Sequence, residues 1–166
     1  KSLQGDTAFL HVLEEMGCRS VEEEDGIKLF PPENAMHGGK FDLSAFSDQA
    51  LTLAVISCFA DSPVTITGIG HIRFQECDRF QAIVSNLTRM GIECEKVDEE
   101  TICIHPGKPK PCEIETFEDH RVAMSFAIPG LVTSGIVILN PGCCRKTFET
   151  YFDVLESEIC GDMLFD

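Results

Sequence analysis

The sequence has 166 residues, of which 43% are hydrophobic, and its mean hydropathy of +0.03 is typical of a globular protein with one domain and a real core. Its longest apolar runs, LTLAVISCFA and VAMSFAIPGLV, are shorter than the ~20 residues of a membrane span, and its first residues resemble neither a signal peptide nor a transit peptide. The formal net charge of −15 argues against nucleic acid and anionic membranes as partners, because both need a broad basic surface. We therefore expect a soluble cytoplasmic protein.

The first half of the chain has two stretches with helical periodicity. A helix is predicted at about Asp6 to Met16, followed by two extended runs that turn at Asp25-Gly26. After the loop PPENAMHGGK, a second helix is predicted at about Ser47 to Phe59, and SPVTITGIG follows it as a short apolar strand.

The second half has three such stretches. A third helix, at about Cys77 to Met90, precedes another pair of extended runs, which turn near Asp98 to Glu100, and then the loop PGKPKP. A fourth helix is predicted at about Asp119 to Leu131, SGIVILNPG is the next strand, and a fifth helix is predicted at about Thr147 to Glu158.

These elements recur in the same order, which predicts an internal repeat. Alignment places Met16-Gly17 on Met90-Gly91 and Asp48 on Asp119, so each unit runs helix, hairpin, strand, helix, strand. We expect one partial domain over residues 1–166, with repeats at about 6–70 and 77–142 and a final helix at about 147–158. Because the chain opens directly on a helix, it is interpreted as a piece of a larger repeat array.

The nine cysteines have no C-x-x-C spacing and are predicted to be reduced. Cys18, Cys58, Cys94 and Cys103 lie among apolar residues and are expected to act as small hydrophobes. The five histidines form no metal-binding pattern, so no metal and no cofactor is predicted. A thiol-based metal or redox protein stays as a minor alternative, which metal analysis and thiol counting would test.

Basic residues of this acidic chain gather at three junctions between a strand and a helix. The junctions read HIRFQECDR, FEDHR and PGCCRK, and they hold Arg73, Arg79, Arg121, Arg145 and Lys146. Free backbone N–H groups at a helix start favour an anion, so an arginine there is disfavoured by about 0.3–1 kcal/mol. A bound phosphate or carboxylate reverses this, since a charge-assisted hydrogen bond is worth about 1.5–3 kcal/mol. The pattern predicts an anion site.

Local ion pairing is the alternative at these junctions, with Asp78 and Asp119 as N-cap acceptors. Asp48 occupies the position in the earlier repeat that Asp119 occupies in the later one, but Gln49 and Ala50 follow it where His120 and Arg121 follow Asp119. A carboxylate with no cation beside it suits proton transfer or a hydroxyl contact, unless it is a plain N-cap.

Four motifs in register carry a family resemblance: SDQALT, RFQECDR, FEDHRVAM and PGCCRKTFETYFDVLE. Together with SLQGD and VLEEMG near the start, they resemble the C-terminal domain of the EPSP synthase (3-phosphoshikimate 1-carboxyvinyltransferase) family, from Ser2 to about Glu156. The resemblance implies an α/β fold: part of an inside-out α/β barrel of repeated βαβαββ units. It also implies an N-terminal domain of the same longer chain as partner, with the active site in the cleft between the two domains.

The reaction implied by the resemblance is a step of the shikimate pathway of aromatic amino-acid biosynthesis. The enolpyruvyl group of phosphoenolpyruvate passes to the 5-hydroxyl of shikimate 3-phosphate through a tetrahedral intermediate, which gives EPSP and phosphate. No cofactor is implied.

Site residues follow from the same motifs. The resemblance implies catalytic roles for Asp48 as base and for Glu76 and Lys146 in proton transfer. It implies substrate-binding roles for Arg79 and Arg121 on the phosphoenolpyruvate carboxylate, for His120 beside them, and for Gln75 and His71 on the shikimate 3-phosphate side. Gln75 departs from the family pattern Arg-x-Lys-Glu, and glutamine donates hydrogen bonds without carrying a charge.

Two alternatives remain. UDP-N-acetylglucosamine enolpyruvyl transferase shares the fold and the donor, although DHR and RKTF favour the shikimate enzyme, and a non-catalytic domain could retain the repeat fold. Because the family's other substrate contacts lie in segments that this sequence lacks, we expect the 166-residue chain to fold without turning over.

Overall fold

The computed structural model describes residues 5–160. Its α-helices are α1 (Phe9–Glu15), α2 (Ala50–Ile56), α3 (Arg79–Arg89), α4 (His120–Ala127) and α5 (Tyr151–Val154). Its strands are β1 (Arg19–Glu22), β2 (Ile27–Phe30), β3 (Gly39–Asp42), β4 (Val64–Thr67), β5 (Cys94–Lys96), β6 (Ile102–Ile104), β7 (Cys112–Ile114) and β8 (Ile136–Ile138). Short 3₁₀ helices extend or precede the α-helices at Gly5–Ala8, Ser47–Gln49, Ser57–Phe59, Gly70–Phe74, Ile128–Leu131 and Pro141–Lys146, and a π-helix spans Leu155–Cys160.

The strands form three sheets. A four-stranded sheet has the order β3-β4-β6-β5, in which β3 and β4 are parallel and β6 pairs antiparallel with both β4 and β5. The other two sheets have two strands each: β1 and β2 form an antiparallel hairpin, and β7 and β8 run parallel. The order helix, hairpin, strand, helix, strand therefore occurs from α1 to β4 and again from α3 to β8.

The core lies between the helices and the four-stranded sheet. On β4, Val64 and Ile66 point inward and are fully buried, as the alternation of apolar residues in VTIT requires. Helix α2 packs against α3 and α4 and is buried along most of its length. This central packing brings the starts of α2, α3 and α4 together.

Two glycines end helices at matching points of the chain. Gly17 follows α1 with φ +99, and Gly91 follows α3 with φ +73, both in the left-handed region that glycine adopts without strain. Two non-glycine residues, Phe117 and Glu118, have φ of 53 and 58 immediately before Asp119. Left-handed backbone at such residues carries strain, and here it precedes the DHR motif.

The structure corrects the predicted fifth helix. The sequence pattern predicts its start at Thr147, but α5 begins only at Tyr151. A separate 3₁₀ helix, Pro141–Lys146, closes first, because the amides of Thr147 and Phe148 donate to the carbonyl oxygen of Cys144 at 3.0 and 2.9 Å. PGCCRK is therefore not the first turn of an α-helix.

Three further findings bear on the predictions from the sequence. The predicted loop PPENAMHGGK is wrong at its last two residues, because Gly39 and Lys40 belong to β3. Eight of the nine cysteines, from Cys18 to Cys144, are free thiols, and Cys58 and Cys144 are buried. No helix within residues 5–160 is long and apolar enough to cross a membrane.

Candidate active site

The site forms where three helix starts meet. Asp48 precedes α2, Arg79 is the first residue of α3, and His120 and Arg121 begin α4. Asp78 caps α3 by accepting from the Gln81 amide, at 2.9 Å. These elements place two arginines, a histidine and several carboxylates within hydrogen-bonding distance of one another.

Asp119 is the buried centre of this arrangement. Its side chain is fully buried and accepts hydrogen bonds from Arg79 Nε at 2.7 Å, from the Arg121 amide at 2.8 Å and, at the longer distance of 3.3 Å, from Arg79 Nη2. Burial raises the pKa of Asp119, but the hydrogen bonds and charge of Arg79 outweigh it and leave that pKa below its usual value. Asp119 thus fixes the guanidinium of Arg79 and caps α4 at once.

Asp48 joins the two arginines on the open side of the site. Arg79 Nη1 donates to Asp48 Oδ1 at 3.0 Å, and Arg121 Nη2 lies 3.0 Å from Asp48 Oδ2. The prediction that Asp48 has no cation beside it is wrong, because the cations come from α3 and α4 rather than from its own helix. We call Arg79 and Arg121 the arginine fork.

A second group lies beside the arginine fork. Lys146 Nζ is 2.7 Å from Glu76 Oε2, and His120 Nδ1 is 3.1 Å from the same oxygen. The hydrogen bond from Lys146 holds the pKa of Glu76 below its usual value. An ionised carboxylate shared by an ammonium and an imidazole is suited to moving a proton.

Gln75 and His71 lie on the other side of Asp48. Gln75 accepts from Arg79 Nη1 at 2.6 Å and donates to Asp48 Oδ1 at 3.2 Å, and His71 Nε2 is 2.7 Å from Ser47 Oγ. These residues line an open, mostly polar pocket of about 470 Å³, whose lining residues are Gly5, Asp6, Ser44, Ala45, Phe46, Ser47, Asp48, His71 and Gln75.

A second pocket, of about 300 Å³, opens on the α4 side of Asp48. His120, Arg121 and Thr147 line it together with the apolar Met124 and Ile128. Asp48 is common to both pockets and lies between them.

Two of the five predicted junction cations lie outside this cluster. Arg73 is 3.8 Å from the centre of the Phe80 ring and pairs with Asp78 and Glu99 at 4.0 and 3.5 Å. Arg145 is exposed. Of the five basic residues at the junctions, only Arg79, Arg121 and Lys146 therefore belong to the cluster.

Glu76, Asp119 and His120 lie close enough to hold a metal ion. However, both oxygens of Asp119 already accept hydrogen bonds from Arg79 and Arg121. Lys146 also places an ammonium against Glu76. A cation would have to displace these positive groups, so the donor set does not fit a metal.

Sequence reasoning missed the central role of Asp119, which it treated as a helix cap. It also missed Cys77, whose thiol is 3.6 Å from Asp119 Oδ2 and whose pKa is raised to about 12, first by burial and then by Asp119. The DHR and CDR motifs each have one aspartate beside basic residues, so nothing in the sequence indicated that Asp119 would be buried and Asp78 exposed.

The comparisons with known proteins agree on one family. The family model of EPSP synthase (3-phosphoshikimate 1-carboxyvinyltransferase) matches residues 1–155. A Nostoc punctiforme protein named 3-phosphoshikimate 1-carboxyvinyltransferase is 45% identical over 152 residues, which are 92% of this chain and 35% of that protein. The chloroplastic enzyme of that name from Brassica napus is 38% identical over 94% of this chain and 31% of its own length.

A solved structure gives the same result for the fold. EPSP synthase from Acinetobacter baumannii superposes with a TM-score of 0.80 and 26% identity, over 91% of this chain and 38% of that chain. The α/β fold class predicted from the motifs is confirmed, and the chain spans about a third of the length of the curated relatives it matches. On the matched family model and these relatives, the chain belongs to the EPSP synthase family.

Proposed function

We propose that this chain supplies the C-terminal half of an enolpyruvyl transfer site in a longer protein. An N-terminal domain of that longer protein would supply the other half of the site. The reaction proposed is transfer from phosphoenolpyruvate to the 5-hydroxyl of shikimate 3-phosphate, which releases phosphate. One observation supports this most: two guanidinium groups from separate helices lie 3.0 Å from the two oxygens of a single carboxylate. A substrate carboxylate is the ligand that such a pair suits.

The proposed roles follow from position. The arginine fork holds the phosphoenolpyruvate carboxylate, and Asp48 takes the proton from the attacking hydroxyl. That oxygen then bonds to the central carbon of the enolpyruvyl group while the methylene carbon gains a proton from the group of Glu76, His120 and Lys146. In the elimination that follows, the bond between the central carbon and the phosphate oxygen breaks and phosphate leaves with the electron pair. The methyl carbon returns a proton to the same group, which restores the double bond without a cofactor.

The acceptor is proposed to bind in the polar pocket of Asp48, Gln75 and His71. Gln75 replaces the family's lysine there, and both ends of its amide are already bonded to Arg79 and Asp48. We propose that Gln75 contributes by holding these two side chains as well as by contacting the acceptor.

Arg121→Ala tests this function. The variant removes one side of the arginine fork, and loss of a charge-assisted hydrogen bond of about 1.5–3 kcal/mol should weaken phosphoenolpyruvate binding by roughly 10-fold or more. Titration calorimetry on the 166-residue chain measures this. Arg145→Ala is the matched control, because it removes an exposed arginine that is not part of the cluster. Equal binding by wild type and Arg121→Ala would favour a non-catalytic domain.

A further inference from the structure

Asp48 occupies the position proposed for the substrate carboxylate. Its two oxygens lie 3.0 Å from Arg79 Nη1 and 3.0 Å from Arg121 Nη2, so one carboxylate bridges the arginine fork. This is the geometry with which two guanidinium groups recognise any carboxylate. The donor must therefore meet Asp48 at the fork.

Arg79 has little left to offer a second carboxylate, because all three of its side-chain nitrogens already donate hydrogen bonds. Arg79 directs Nε and Nη2 to the buried Asp119, which leaves Nη1 as its end toward the open site. That Nη1 already donates to Asp48 and to Gln75 Oε1. A ligand carboxylate that bridges Arg79 Nη1 and Arg121 Nη2, as Asp48 does, therefore has to replace Asp48.

Burial makes Asp48 the replaceable partner. The side chain of Asp48 is 39% exposed and that of Arg121 is 35% exposed, whereas Asp119 is fully buried. Displacing the side chain of Asp48 need not disturb the hydrophobic core, because this side chain lies between two open pockets. Asp119 stays and keeps Arg79 oriented.

We propose that Asp48 is an internal competitor for the arginine fork and thereby sets how tightly a carboxylate binds there. This inference rests on the proposed function. A ligand with one carboxylate gains no more from the fork than Asp48 already provides. A ligand with a second anionic group gains also from Lys146, whose side chain is 52% exposed beside Glu76. Asp48 lowers the affinity for every carboxylate alike, so a doubly anionic ligand such as phosphoenolpyruvate, which also gains from Lys146, binds in preference to simple monocarboxylates.

The same exchange links the two substrates. When the donor carboxylate takes the fork, Asp48 loses its two guanidinium partners and becomes free to accept a hydrogen bond from the acceptor hydroxyl. Donor binding thus prepares the base, and it does so through one side chain that faces both pockets.

Asp48→Asn tests whether Asp48 competes with ligands for the arginine fork or helps to bind them. The neutral amide keeps the shape of the side chain but cannot form the ion pairs. Phosphoenolpyruvate and pyruvate should therefore both bind to the variant at least about fivefold more tightly than they bind to wild type, because one ion pair in water contributes about 1 kcal/mol. Both ligands should gain by the same factor, because displacing Asp48 costs each of them the same free energy. Asp78→Asn is the matched control: it neutralises another helix-start carboxylate that does not touch the fork, and it should bind as wild type does.

The outcomes are distinct. If Arg121→Ala weakens phosphoenolpyruvate binding but Asp48→Asn does not tighten it, the competition is refuted and the proposed function stands. If neither substitution changes binding, both fail. The double variant Asp48→Asn, Arg121→Ala should lose the gain.

The wild-type chain provides a second readout that does not depend on folding of a variant. Gln75 Nε2 donates to Asp48, so its side-chain amide signals in ¹H–¹⁵N NMR should shift as phosphoenolpyruvate displaces Asp48. Saturation with phosphoenolpyruvate that leaves these signals in place would overturn the proposal.

Discussion

At the residue scale, Asp78 and Asp119 are both helix N-caps, but they differ in burial and in their ion pairs. Asp78 and Asp119 each precede a helix and accept from a backbone amide of its first turn. Asp78 is exposed, whereas Asp119 is fully buried against Arg79, which is itself 3% exposed. The sequence could predict both as caps, but it could not predict this ion pair, because the partners are far apart in sequence and only packing of α3 on α4 joins them.

Asp119→Asn should therefore be much more damaging than Asp78→Asn. Asparagine caps a helix nearly as well as aspartate, so the cap survives in both variants. Removing the charge at position 119 takes away the buried partner of Arg79 and leaves only the partly exposed Asp48, which should cost about 3–5 kcal/mol, while Asp78→Asn should change stability by less than about 0.5 kcal/mol. Urea unfolding followed by far-UV circular dichroism gives both values. Similar losses in the two variants would show that Asp119 is only a cap.

The same pair predicts a pH dependence. Because Arg79 holds the pKa of Asp119 below its usual value in the folded chain, the carboxylate contributes stability above its unfolded pKa, near about 3.9. That contribution is lost as the pH falls through the lower folded value. The difference in unfolding free energy between wild type and Asp119→Asn should thus be constant near neutral pH and shrink in acid below pH of about 4. A difference that grows in acid would contradict this.

At the element scale, periodicity predicted the helices better than the strands. The first four helices lie within the predicted ranges, with 3₁₀ turns at several ends, because their buried faces repeat with helical spacing. Strands β3 and β7 were not located, since each has only three or four residues and follows a loop rich in glycine or proline. The last helix was placed too early, because the 3₁₀ helix Pro141–Lys146 has no distinct pattern of its own.

Gly38 controls how β3 enters the sheet. A Cβ atom there would collide with the backbone of Ser62 and Pro63, which cannot move without disturbing β4. The Gly38 amide also bonds to Asp61 Oδ1 at 3.1 Å. Gly38→Ala should therefore destabilise the chain by about 2 kcal/mol or more, in the manner of other overpacked sites.

Gly26→Ala is the matched control for that substitution. Gly26 lies in the turn between β1 and β2, where an added Cβ meets nothing within 4 Å. Its effect on unfolding by urea should stay within about 0.5 kcal/mol. If both variants unfold at the same urea concentration, close approach at Gly38 is not what holds β3 beside β4.

At the scale of the whole molecule, an acidic chain builds a site whose charges balance. The arginine fork and Lys146 are matched by Asp48, Asp119 and Glu76, all within salt-bridge distance. The motifs could identify these residues, because each lies in a short conspicuous run. They could not show that every cation would already have a carboxylate, since the pairs join different helices and loops. The division into repeats at about 6–70 and 77–142 stays a prediction.

The pairing of every cation of the site with a carboxylate limits what the chain alone can catalyse. The pocket proposed for the acceptor has no lysine or arginine among its described lining residues, so nothing cationic in it faces a phosphate group. The chain also spans only about a third of its curated relatives. We therefore expect the purified 166-residue chain to bind phosphoenolpyruvate through Arg121 but to release no phosphate from phosphoenolpyruvate plus shikimate 3-phosphate.

A coupled assay for inorganic phosphate measures that release, and Arg121→Ala controls for contaminating phosphatase, which would act equally on both proteins. Adding the remaining two-thirds of the Nostoc punctiforme relative as a separate polypeptide should restore some release if the missing charges lie there. Release by the chain alone that requires both substrates and disappears in Arg121→Ala would show that the described residues suffice, and it would mean that Gln75 and His71 bind the acceptor without a cation.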